Sequence, residues 1–468
     1  MGLFPILALF AAALPLRAFA GSGSRLARYS PSRGVAFFAA AALAAAFVGY
    51  EVCFNRAIVE AHPASMIAGQ PILFLVRGVG KLVSASRADE LGLLALVEAI
   101  ALGTFLAHLE ALGTRARRAT AGLVATALAA AALVMPASDS SDSYLYVGLG
   151  TLGVHAYAPD PVPFRGDLHL INAIWGTPLF PSAYGPVWIA VSALLIAPLA
   201  SLGAKLFAFK VLGLASVLAC AYLARLLGAA RVVVAGIVCN PGLYVTYVAS
   251  AHNDLFAIDL VLVAMLAARR SVPLAYAFAL AASLVKLTLV PVAVVAVARQ
   301  PSIWVRASFA VLLALAVGMV YAVHGGLLWH ALTPAMQQYQ HGWSPLEVAL
   351  RAALVAVALG AGAWIVVSGR VRAQAAWAPP ALGASILASY TIWGLPLALT
   401  ATPVAVVYLV TLPILLFFQS PTLPGTPALE IASYSFLLLS IFVAIYRLRP
   451  AIKATARPPD DRRVSAGN

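Results

Sequence analysis

Long apolar runs with almost no charge recur from one end of this 468-residue chain to the other, and such runs can fold in few ways. Ala119–Ala137, for example, is mostly Ala, Leu and Val. A run of roughly 17–25 apolar residues matches the hydrocarbon thickness of a bilayer when coiled as a helix. Inside lipid the helix also pairs every backbone N–H and C=O within its own segment. A β-barrel is excluded, because its strands alternate in short segments and give no long apolar runs. Only 10% of the residues are charged and 63% are hydrophobic, whereas a water-facing domain carries about 25% charged residues. The expected fold class is an all-α polytopic integral membrane protein.

Candidate spans fall at roughly 3–16, 35–53, 66–83, 91–112, 119–137, 184–200, 206–224, 232–249, 255–268, 273–298, 307–323, 352–368, 379–398, 403–418 and 429–446. Topology reduces these to about 11–13 transmembrane helices. The net charge of +14 suits nucleic acid in a soluble protein, but here Arg115–Arg118, Arg269-Arg270, Arg370-Val371-Arg372 and Arg447–Arg463 all flank apolar runs. Cationic loops of that kind orient a membrane protein on its cytoplasmic side and touch anionic headgroups. Membrane lipid is therefore the expected partner and nucleic acid is not.

If Arg115–Arg118 and Arg269-Arg270 are both cytoplasmic, residues 138–183 lie outside and an odd number of crossings must follow. Four candidates are present, so at least one is re-entrant, merged or misdrawn, and the segment interrupted by Asn240-Pro241 is a good candidate, since broken helices are tolerated where they line a cavity. The chain then divides into N-terminal helices (1–118), a core (119–323) with the outer loop 138–183, C-terminal helices (324–446) with the outer loop 324–350, and a basic cytoplasmic tail (447–468). The first twenty residues resemble a signal peptide, but the missing basic start favours an uncleaved first helix. Cys53, Cys220 and Cys239 have no metal-ligand spacing and read as buried free thiols. Walker, G-x-S-x-G, H-E-x-x-H and C-x-x-C motifs are all missing, as are repeats of 20–50 residues.

The polar residues concentrate in three places. The loop 138–183 carries Asp139, Asp142, Asp160, Asp167, Arg165, His155 and His169 among aromatics and prolines. Asp142 stands at a helix mouth with Tyr144 and Tyr146 behind it, where water meets bilayer, so it is the candidate base. Asp139 lies three residues earlier, and spacing alone does not exclude it. Asp160 and Asp167 read as solvated residues or helix caps. The second place is Asn240-Pro241 followed by His252-Asn253-Asp254, polar groups that are costly at membrane depth. An interfacial turn with a helix start explains them, and so does a ligand-facing cluster. The third is Lys286 inside the apolar run Ala275–Ala298. Either its ammonium snorkels to an interface, or two short helices meet there and it faces a lipid phosphate. Glu98, His108 and Glu110 also fall in an apolar run and should pair within or between helices.

Together these elements resemble the polyprenol-phosphate-sugar-dependent glycosyltransferases of the C superfamily, above all the bacterial α-mannopyranosyltransferases that build lipomannan-type glycans. Asp142-Ser-Tyr144-Leu-Tyr146 matches that family's Asp-x-Tyr-x-Tyr, and Gly153-Val-His155-Ala-Tyr157 stands where it has Gly-x-Asn/Asp-Pro-Tyr. Trp175, Thr177-Pro178 and Tyr184-Gly185-Pro186-Val187-Trp188 follow in order, then Asn240-Pro241, His252-Asn253-Asp254 and Leu284-Val285-Lys286. A late aromatic-Trp-x-x-Pro element is matched by Tyr390-Thr-Ile-Trp393-Gly-Leu-Pro396. His155-Ala156 departs from the family pattern at the sugar-shaping loop.

The resemblance implies an inverting enzyme that moves a sugar, mannose by family, from a polyprenyl-phosphate donor to a glycan or glycolipid acceptor. It places the site on the periplasmic or outer face of the plasma (inner) membrane. Asp142 would be the base, with Lys286 and Arg165 binding the donor phosphate. Tyr144, Tyr146, Tyr157, Tyr184, Trp188, His252, Asn253 and Asp254 would bind substrate. No cofactor is required for such a displacement, although some superfamily members use a divalent cation, which leaves Mg or Mn open. A lipid-linked-sugar flippase would also expose polar residues in the membrane, but usually shows repeat symmetry. A glycan ligase is expected to carry Arg and His in a large late loop, and 324–350 holds neither Arg nor Lys.

Overall fold

The alanine- and leucine-rich runs coil into helices in the computed structural model, which describes residues 32–61, 85–135, 142–157, 182, 184–286, 289–323, 366–367, 392–399 and 402–419. Helix α1 covers Arg33–Ala61, α2 Ala85–His108, α3 Thr114–Val134, α4 Asp142–Leu152, α5 Pro186–Ile196 and α6 Leu202–Leu226. They are followed by α7 (Arg231–Val238), α8 (Asp254–Ala267), α9 (Val272–Val285), α10 (Ile303–Val323) and α11 (Thr402–Gln419). No strand occurs among the described residues, as expected for an all-α membrane protein.

Five of these helices are long and apolar enough to cross a bilayer, through Arg33–Cys53, Leu91–Ala111, Thr114–Val134, Leu202–Leu226 and Ile303–Val320. A sixth span is broken: Arg231–Val238 and Pro241–Ala249 meet at 47°. This is the segment that the charge argument singled out. Asn240 sits at the break, where its Oδ1 accepts from the Gly242 amide (3.1 Å) and its Nδ2 donates to the Leu409 carbonyl (2.8 Å). Pro241 begins the second half, where a missing N–H costs nothing. Asn240-Pro241 therefore builds the break and holds it against α11. Helices α5 and α9 are shorter apolar helices. The expected spans at 3–16, 66–83 and 429–446, and most of 352–398, lie outside the described residues, so the count of 11–13 is not reached among them.

The second half of the broken span is wound as a π-helix over Tyr244–Ala249. Gly213 of α6 lets it approach. A Cβ there would stand 1.8 Å from the Tyr247 carbonyl oxygen. Lys210, one turn earlier, is 2% exposed. Its ammonium donates to the carbonyl of Ala132 (2.9 Å) and to that of Met135. A cation placed on the orphan carbonyls at the end of α3 satisfies both partners.

The acidic and histidine positions of α2 divide. His108 Nδ1 accepts from the Ser32 amide at 3.0 Å, and Glu110 pairs with Arg117 at 2.5 Å. Glu98 is 2% exposed, and its Oε1 has no hydrogen-bond partner. Cys53, Cys220 and Cys239 are free thiols, the last two buried.

Candidate active site

Asp142 opens α4, a helix of 11 residues whose length of about 16 Å falls well short of the hydrocarbon core. A carboxylate in the first turn complements the positive end of the helix dipole. Four residues on, Tyr146 lies on the same face and donates its hydroxyl to Asp142 Oδ2 at 3.2 Å. Tyr184 donates to the same oxygen at 3.1 Å, and His252 Nδ1 approaches it at 3.1 Å. Phenols and an imidazole gathered on one oxygen suit an anion that only accepts. Burial first, and then the Asp142 charge, hold the Tyr146 hydroxyl well above the ordinary tyrosine range, so it remains a donor. Asp142 keeps 16% of its side-chain surface open.

The tyrosine spacing separates two roles. Tyr146 reaches Asp142, whereas Tyr144, two positions away and rotated to another side of the helix, is 1% exposed in the core. Trp188 is also 1% exposed. It meets Tyr146 edge-on with ring centroids 4.9 Å apart and packs beside Phe209 and Phe256. In this structure it braces Tyr146 from behind instead of presenting a face for a sugar.

Tyr184 reaches the site because the two ends of the segment after α4 are tied together. The Ser182 amide donates to the Ala156 carbonyl (2.8 Å), and the Tyr157 hydroxyl donates to the Tyr184 carbonyl (3.0 Å). Gly153, with φ +55°, makes the turn out of α4 into this clasp. Tyr157 is thus a positioning residue. His155 and Ala156 divide the departure from the family pattern between an exposed imidazole and a buried methyl that belongs to the clasp.

On the other side, the Gly185 amide donates to the Val285 carbonyl at 3.2 Å, and a Cβ on Gly185 would lie 2.0 Å from the Leu284 carbonyl oxygen. Backbone touches backbone here, so no side chain can yield. Gly185→Ala should displace Tyr184 from Asp142 and lower kcat at least tenfold, with Tm falling by several degrees. Unchanged turnover would show that this close approach is not needed.

Helix α9 stops at Val285, and Lys286 follows in extended backbone (φ −144°, ψ 108°) before helical turns resume at Leu289. Two short helices do meet at this lysine. Its ammonium is 2.8 Å from Asp254 Oδ1 and lies over the rings of Tyr184 (5.7 Å) and Trp393 (5.9 Å). Asp254, fully buried in the first turn of α8, accepts on the same Oδ1 from the Trp393 indole at 2.8 Å. Its Oδ2 has no hydrogen-bond partner. Asn253 is 1% exposed, and both its side-chain Nδ2 and Oδ1 are without partners. Burying such groups unsatisfied costs on the order of 1–3 kcal/mol each, so their directions matter. They follow directly on His252, which reaches Asp142, and amount to one donor and two acceptors without partners.

The structure therefore brings Asp142, Tyr146, Tyr184, His252, Asn253, Asp254 and Lys286 into one neighbourhood, with Tyr157 and Trp188 as supports. Lys286 enters it paired with Asp254. Trp393 joins as a residue whose only sequence signal was a weak aromatic-proline element. Arg165, Asp139, Asp160, Asp167, His169, Trp175, Thr177, Pro178, Tyr390 and the histidines of 324–350 lie outside the described residues. Among the described residues, no group of three or more His, Cys, Asp or Glu is arranged to hold a metal ion.

The family model described as "Alpha-(1->6)-mannopyranosyltransferase, N-terminal domain" matches residues 39–306, a stretch that contains the whole neighbourhood except Trp393. No curated protein and no solved structure matches the chain.

Proposed function

Since the chain belongs to the alpha-(1→6)-mannopyranosyltransferase family, we propose that it transfers mannose with inversion from a polyprenyl-phosphate donor to a hydroxyl of an envelope glycan. The family makes it a glycosyltransferase; donor, acceptor and stereochemistry belong to the proposal. The observation that carries it is Asp142, a partly open carboxylate fixed by Tyr146, Tyr184 and His252, with unpartnered polar atoms on Asn253 and Asp254 directly after His252.

In this reading Asp142 takes the proton of the acceptor hydroxyl as its oxygen attacks the anomeric carbon. The new glycosidic C–O bond forms while the bond from carbon to phosphate oxygen breaks, and the electron pair leaves with the lipid phosphate. Tyr184 and Tyr146 hold the carboxylate in line. Asn253 and Asp254 Oδ2 meet sugar hydroxyls, since an amide both donates and accepts, whereas a carboxylate oxygen suits a hydroxyl and repels a phosphate. Lys286 offsets the charge gathering on the departing phosphate while tethered to Asp254, and Arg165 assists from the outer loop. The site faces the outer side of the inner membrane, where a lipid-borne donor and a growing glycan meet.

The donor can be tested with purified protein in nanodiscs. Mannosyl polyprenyl phosphate should support transfer to a mannoside acceptor, and a nucleotide-linked mannose should support none. Transfer from the nucleotide sugar alone would overturn the donor assignment. Retention of the donor's anomeric configuration in the product would overturn inversion.

A further inference from the structure

A second polar centre lies away from the catalytic neighbourhood, between α1, α2 and the broken span. Tyr50, Glu98, Gly242, Val245 and Thr246 line a small cavity there, with Ala95 and Pro413. Two of the lining side chains are buried and unsatisfied: Glu98 is 2% exposed with Oε1 unpartnered, and Thr246 is 1% exposed with Oγ1 unpartnered. We propose that this cavity binds one hard monovalent cation, with sodium as the type.

Charge argues for an ion over a water. Glu98 is the one carboxylate in the lining, and the Glu51 carboxyl group is near enough to interact with it. An ionised carboxylate at membrane depth is costly unless it is paired. A water molecule could hydrogen-bond to Glu98 and Thr246 but would bring no charge, whereas a monovalent cation matches the single carboxylate of the lining.

The donor atoms point the same way. The unpartnered Glu98 Oε1 and Thr246 Oγ1 are both oxygen donors, which suit alkali and other hard ions. Thr246 sits on the π-helix, and Gly242 sits in the turn after the Asn240-Pro241 break. Broken and π-wound helices at membrane depth occur where backbone carbonyls line a cavity, and such carbonyls coordinate sodium in transporters. The ion would thus fasten α2 to the second half of the broken span.

Binding of radioactive sodium to the purified full-length protein tests this directly, with thermal unfolding in sodium chloride against choline chloride as a second measure. The expected result is saturable uptake of about one ion per chain and a sodium-specific rise in Tm of roughly 2–4 °C. Glu98→Gln should abolish both. Thr246→Val, which keeps the shape of the side chain, should weaken apparent sodium affinity at least tenfold and serves alone if the first variant does not fold. No saturable uptake by the unaltered protein overturns the site, and equal uptake by both variants places the ion elsewhere. A sodium-independent Tm overturns the fastening role. Each outcome is independent of whether mannose is transferred.

Discussion

Asp142→Asn should leave a folded protein in the membrane that has lost mannosyl transfer by about 10²–10⁴-fold, the usual range for removing a general base. That loss corresponds to roughly 3–5 kcal/mol of activation free energy. The amide is the sharp choice, because its carbonyl oxygen can still accept from Tyr146 and Tyr184, so the clasp around α4 keeps its partners. What it cannot do is take a proton from an acceptor hydroxyl at neutral pH. The effect should fall on kcat, with donor affinity nearly unchanged. Turnover within a fewfold of the unaltered enzyme would remove Asp142 from the chemistry and return Asp139 to consideration.

Lys286→Met should cost stability on a comparable scale. Asp254 is fully buried and shares its Oδ1 with the lysine and with Trp393. Removing the cation leaves a carboxylate in low dielectric with only the indole to stabilise it, and breaking a buried pair in this way costs about 3–5 kcal/mol. Tm should fall by many degrees, and the apparent donor affinity should fall with it. Adding Asp254→Asn to the same chain removes the stranded charge and should recover most of the lost stability. Transfer should not recover, because Asp254 Oδ2 and the ammonium are both gone. A double variant that regained activity along with stability would show the pair to be purely structural. A single variant as stable as the unaltered protein would show that Asp254 does not need the ammonium in order to stay buried.

How much of this was legible in the residues depends on the distance over which each signal acts. Apolar run length is a local property, and it placed the membrane-spanning parts of α1, α2, α3, α6 and α10 within a few residues. The Asn240-Pro241 break was legible because parity of charged loops and a proline inside an apolar run point to the same spot. The Asp142–Tyr146 pairing follows from helical periodicity, which puts positions four apart on one face. Contacts across the fold were not legible in that way. Lys286 is as isolated in the sequence as Lys210, yet one joins a carboxylate in the site and the other closes the end of α3. Nothing local distinguishes them. Trp188 entered as a substrate-binding residue through the resemblance alone, and only its burial behind Tyr146 shows it bracing the carboxylate's partner. Gly185 and Gly213 carry no sequence mark of the backbones that press against them.

The Trp393 contact bears on how this protein could be recombined. The matched segment ends at residue 306, yet one of the two donors that fix Asp254 comes from far beyond it. A hybrid that keeps the first 306 residues and takes its remaining helices from another transferase would inherit every residue on α4 and α8 and still have a slack aspartate. Swapping halves between relatives would then change the pitch of one carboxylate, so the unit that can be exchanged is larger than the homologous segment.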